Sequence, residues 1–133
     1  GENASAKNYA EELKKDFPKM SYSEATGGTA SKPTKTETLV LPTDKWHEAF
    51  FTAQQLFAIP KGFAFPNPKG SNSETQQNNN KKKGDFVSEL LIARNDNQLQ
   101  KIVYNYKTTG FGYKVTITKE AEGMKLEKTE VAD

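Results

Sequence analysis

At 133 residues the chain can close one hydrophobic core without covalent help, and a single domain over residues 1–133 is expected. Nineteen Lys and Arg against seventeen Asp and Glu leave a net charge of +2, too weak a field to gather nucleic acid or an anionic membrane by itself. The absence of cysteine excludes disulfides, thiolate nucleophiles and Cys-ligated zinc or iron–sulfur centres, and no apolar run approaches the roughly 20 residues of a membrane helix.

The N-terminus lacks the basic and apolar regions of a signal peptide. Gly1 ahead of the polar stretch Glu2-Asn3-Ala4-Ser5 reads as a trimmed mature start. The expectation is a secreted or bacterial cell-envelope protein, periplasmic or lipid-anchored after removal of a leader.

Ala6, Ala10, Leu13, Phe17 and Met20 recur at steps of three and four, which is one face of a helix over residues 6–16 or 17. Ser5 is its expected cap, Glu11 and Lys15 form an i,i+4 pair, and Pro18 forces Phe17 out of helical geometry. Residues 21–38 are rich in Ser, Thr, Gly and Lys and read as a loop or weak hairpin turning at Gly27-Gly28, with a strand over residues 36–41. A second helix starts after Thr43 or Asp44 as cap. Its apolar face is Trp46, Ala49, Phe50, Ala53, Leu56 and Phe57, and Pro60 ends it just past Ile59.

Residues 61–85 change character. Phe63 and Phe65 can pack locally, whereas residues 71–83 are Asn, Gln, Ser and Lys almost throughout and cannot bury enough apolar surface to offset their ordering entropy. A mobile loop is expected over residues 67–85. Alternation then takes over, predicting strands at residues 86–94, 99–107, 113–118 and 124–127, joined by turns at Asn95-Asp96-Asn97, Thr108-Thr109-Gly110 and Glu122-Gly123.

The expected fold class is therefore α+β: two amphipathic helices packed on one face of a four-stranded antiparallel sheet, five-stranded if residues 39–41 join at an edge. This order of elements is similar in architecture to nuclear-transport-factor-2-like, cystatin-like and β-lactamase-inhibitor-like domains, and no motif selects among them.

No catalytic residue, cofactor site or metal site is predicted. His47 is the only histidine, and with Asp44 one helical turn away it reads as a flank residue beside a cap rather than an acid–base pair. No closely spaced His or carboxylate set offers convergent metal ligands. Lys81-Lys82-Lys83 reads as solvated loop.

The most distinctive string, Gly110-Phe111-Gly112-Tyr113 entering a strand, resembles the ribonucleoprotein-1 box of RNA-recognition motifs, whose sheet aromatics stack bases. The resemblance covers four consecutive residues. Thr109, Lys114 and Thr116 depart from the pattern, and the βαββαβ order is missing. With Lys101, Tyr104, Tyr106 and Lys107 on the preceding strand, Phe111 and Tyr113 form the predicted ligand or partner surface.

The leading functional expectation is a non-enzymatic binding or structural domain whose partner is a protein or small ligand. The alternatives are a small lyase or isomerase of nuclear-transport-factor-2-like architecture with a sheet-lined cavity near His47, and a single-stranded nucleic-acid binder using the aromatic hairpin.

Overall fold

The computed structural model describes residues 2–60, 63, 65–70, 74–78, 88–108 and 110–132. The chain runs α1 (Glu2–Asp16), β1 (Ser21–Gly28), β2 (Pro33–Leu41), α2 (Trp46–Phe57), β3 (Glu74–Asn78), β4 (Ser88–Asn95), β5 (Gln98–Thr108), β6 (Phe111–Glu120) and β7 (Gly123–Ala132). All pairings are antiparallel, and the strands lie in the order β1-β2-β7-β6-β5-β4-β3.

The α+β character stands, but the four- or five-stranded sheet does not: among the described residues the sheet has seven strands. Two causes account for the difference. β1 carries hardly any apolar side chain, so its sequence reads as a loop or a weak hairpin turning at Gly27-Gly28; a full hairpin with β2 forms, with its turn at residues 29–32. β1 is a strand because its neighbour β2 places a β-branched residue at Thr34, Thr36 and Thr38, which suits a pleated surface without any need for burial. β3 was read as part of a mobile loop, and residues 74–78 instead pair with residues 88–92 of β4. Residues 71–73 and 79–85 of that expected loop, the lysine run at 81–83 among them, and residues 86–87 of the strand expected at 86–94 lie outside the described residues.

β2 is also no edge strand. It sits between β1 and β7, with Leu39 opposite Leu126 and Leu41 opposite Met124. The turn at Gly123, whose φ is +148°, brings its backbone against the Leu41 carbonyl, a space that a Cβ would fill.

Side chains alternate across each strand. On the inner face Leu39, Leu41, Ile92, Ile102, Val115, Ile117, Met124 and Leu126 are buried, and Ala10 and Leu13 of α1 and Ala49, Phe50, Ala53, Leu56 and Phe57 of α2 join the same core. The outer face is largely threonine and charge, with Thr36 and Thr129 hydroxyls 3.4 Å apart across the β2–β7 pair.

The helix ends differ from expectation. α1 starts at Glu2, so Ser5 lies inside it, and Lys15 pairs with Glu12 at 3.3 Å rather than with Glu11. α2 starts at Trp46 after Lys45, with no side-chain cap bond. Thr43 Oγ1 instead accepts from the Lys45 N–H and bonds Glu48. The helix stops at Phe57 because Ala58 adopts the left-handed conformation, two residues ahead of the end at Ile59 that Pro60 alone would set.

Candidate functional site

The inner face changes chemistry partway along the strands. In β2 the inward residues run Leu41, Leu39, Glu37, Lys35, and in the paired β7 they run Met124, Leu126, Lys128, Glu130. α2 covers the apolar half. Beyond its C-terminal end the face is charged, with Glu37 opposite Lys128 and Lys35 opposite Glu130. The same rows continue through β6 and β5: Lys128 faces Val115, Glu130 faces Tyr113, and Tyr113 faces Tyr106.

This charged end forms the floor of a cavity of about 470 Å³. Gln55, Phe57, Ala58 and Pro60 at the end of α2 make its roof, and Tyr9 of α1 stands on its wall. Its size falls within the range of small-molecule sites.

Both of its lysines are held by neighbours. Lys35 Nζ lies 3.4 Å from Glu37 and 4.0 Å from Glu24 on β1. Lys128 Nζ donates to the Phe57 carbonyl at 2.9 Å and sits 4.9 Å above the centre of the Tyr113 ring, so one ammonium both satisfies an orphan carbonyl at the end of α2 and makes a cation–π contact. The two lysines and two glutamates of the lining cancel in formal charge.

Aromatic rings connect the cavity to the core. Tyr106 and Tyr113 stack with centroids 5.0 Å apart and planes 23° from parallel, and Phe63 packs on both Tyr104 and Tyr106. Phe65 continues the series to Phe50 at 4.6 Å, and Phe50 to Trp46 at 5.6 Å. Burial holds the Tyr104 and Tyr106 hydroxyls well above the ordinary tyrosine pKa, with the neighbouring Tyr113 and Glu130 adding to the effect at Tyr106. Tyr9 is also raised, mainly by burial, against the opposing pull of its hydrogen bond with Thr52.

The residues singled out from the sequence separate onto two faces. Tyr104 and Tyr106 are buried on the inner face, Tyr113 is half-buried there on the cavity wall, and Phe111 is exposed at the hairpin end, 6.2 Å from Tyr113. Lys101 and Lys107 are exposed on the opposite side of β5, since from residue 101 onward the odd positions of that strand point away from Tyr104 and Tyr106. The structure thus unites the tyrosines and parts them from the lysines.

His47 is exposed and lines a different depression, between α1 and α2 with Phe17 and Phe51; it is not among the residues lining the sheet-lined cavity. Among the described residues no group of three His, Asp or Glu could hold a metal ion, and no helix is long and apolar enough to cross a membrane.

Lys35, Glu37, Lys128 and Glu130 were missed by sequence reasoning. Starting β2 at residue 36 and ending β7 at residue 127 left Lys35, Lys128 and Glu130 outside any strand. The signal was present: extending the period of two from Leu39 and from Leu126 places all four on the face that holds the core. No protein family, curated protein or solved structure matches the chain.

Proposed function

We propose that the protein is a non-enzymatic binding domain that takes a small, neutral, hydroxyl-rich ring compound, a saccharide in chemical class, into the cavity between the end of α2 and the charged end of the sheet. The observation that carries this reading is the half-buried Tyr113 ring set beside alternating lysines and glutamates on one floor.

A sugar ring has an apolar face that packs beside aromatic rings, here the Tyr106–Tyr113 stack that borders the cavity, and hydroxyls that both donate and accept. Lysine ammoniums offer donors and glutamates offer acceptors, so Lys35, Glu37 and Glu130 match such an edge. A charged ligand would meet repulsion and attraction in equal measure on a lining whose formal charges cancel. The pairing of Lys35 with Glu37 and of Lys128 with the Phe57 carbonyl supports a binding role over a catalytic one, because each group is held in place by a neighbour.

The secreted or cell-envelope setting remains part of the proposal. Fractionation that finds the full-length protein in the cytoplasm overturns that part alone.

The test is a thermal-shift screen of neutral mono- and disaccharides on the wild type and on Tyr113→Ala. At least one sugar should raise the wild-type melting temperature in a dose-dependent way, and Tyr113→Ala should lose the shift while remaining folded. A sugar response that survives Tyr113→Ala, or a complete absence of response at tens of millimolar, rejects the proposal.

A further inference from the structure

Strand β1 ends the sheet, and its outer edge is unpaired among the described residues. Residues 23–28 are exposed on both faces, so neither helix overhangs them and the edge is open to approach. Edge strands of this length are normally protected by lysine, proline or a bulge. β1, with sequence Ser-Tyr-Ser-Glu-Ala-Thr-Gly-Gly, has no lysine and no proline; the carboxylate of its one charged residue, Glu24, is engaged by Tyr22 and Lys35 of its own chain, and its register against β2 runs without interruption from Ser21 to Gly28.

We propose that this edge pairs with the same edge of a second copy of the chain, antiparallel about a two-fold axis through Ala25, joining the two sheets into one of fourteen strands, twice the seven of a single chain. A two-fold axis perpendicular to the sheet keeps the helices of both copies on one side and lets a residue face only positions of its own parity.

Among such registers, the one centred on Ala25 sets no like charges and no two large side chains directly opposite each other. Ser23 faces Gly27 of the second copy, Glu24 faces Thr26, and Tyr22 faces Gly28, which sets the large ring against the residue without a side chain. The register centred on Glu24 would place two glutamates directly opposite each other, which disfavours it. A single strand pair buries less than the roughly 1,200 Å² of a standard interface, so the dimer is a weak one.

The absence of cysteine makes the register directly readable. In Ala25→Cys the two thiols stand on facing Cα atoms about 4.5 or 5.5 Å apart, within the span of a disulfide. In Ser23→Cys they are offset by four residues, about 13 Å along the strand, and cannot bridge. Under mild oxidation Ala25→Cys should form covalent dimer at least about tenfold faster than Ser23→Cys.

Equal rates for the two variants, or faster bridging of Ser23→Cys, overturn the proposal. Sedimentation provides a second reading that needs no oxidation: the wild type should gain apparent mass as concentration rises towards the millimolar range, and Ala25→Lys should lose that gain with an unchanged melting temperature. A wild type that remains monomeric throughout, or an Ala25→Lys variant that associates equally well, also overturns it.

Discussion

Ala58 shows how one residue fixes the mouth of the cavity. It ends α2 with φ +52°, a conformation that costs a residue bearing a Cβ about 1–2 kcal/mol and glycine almost nothing. The exposed position lets the Cβ be removed without opening a hole. Glycine loosens the unfolded chain and gives back about 0.4–1 kcal/mol, so Ala58→Gly should gain up to about 1 kcal/mol and melt a few degrees higher. A melting temperature at or below wild type would mean that the left-handed turn is not strained. Position 58 was not legible in advance because nothing in Leu-Phe-Ala-Ile-Pro marks alanine as the stop. Proline does mark a stop, and the sequence reading accordingly ended the helix about two residues late.

At the scale of elements, α2 was legible almost completely and the sheet only in part, and the reason is physical. The six apolar residues read as one face of α2 are all buried, because a helix that covers a core must carry its stripe in sequence. β1 carries no such requirement: both of its faces are largely wet, so its strand character rests on backbone pairing with β2, which no local pattern records.

The tyrosines were legible as a group on β5 and β6, but their face was not. Adjacent lysines suggest a wet surface until the period of two is followed into the core. Phe50 and Phe51 test the assignment of α2 side by side. Phe50 is buried and stacks on Phe65 at 4.6 Å, whereas Phe51 is 59% exposed. Phe50→Ala should cost about 3–5 kcal/mol, and Phe51→Ala should change stability by no more than about 0.5 kcal/mol. Urea unfolding followed through Trp46, the single tryptophan, measures both. Equal costs would show that the helix does not present the face described.

For the molecule as a whole, burial of tyrosine predicts an alkaline limit to stability. Tyr22, Tyr104 and Tyr106 all have pKa values raised above 10.0; burial is the largest cause in each, and at Tyr22 the hydrogen bond to Glu24 and the charges of Glu37 and Glu24 add to it. The unfolded chain therefore releases these protons first. Their contribution is fully present below pH 10 and is lost as the pH rises above it, at up to about 1.4 kcal/mol per pH unit for each tyrosine. Urea midpoints should be governed by these groups only on the alkaline side, and Tyr104→Phe should fall less steeply than wild type above pH 10. An identical slope in the two proteins would remove Tyr104 from the account.

The sheet and the end of α2 meet around a cavity at the charged end of the inner face, and the proposal is that a saccharide occupies it. A nuclear magnetic resonance titration of isotope-labelled protein with the disaccharide that gives the largest thermal shift tests it most directly. Shift changes should gather at Tyr9, Ala58, Tyr106, Tyr113 and Glu130, which four separate elements and the end of α2 bring to one place. Changes centred instead on His47 and Phe51 in the depression between the helices, or on the exposed lysines of β5, would contradict it.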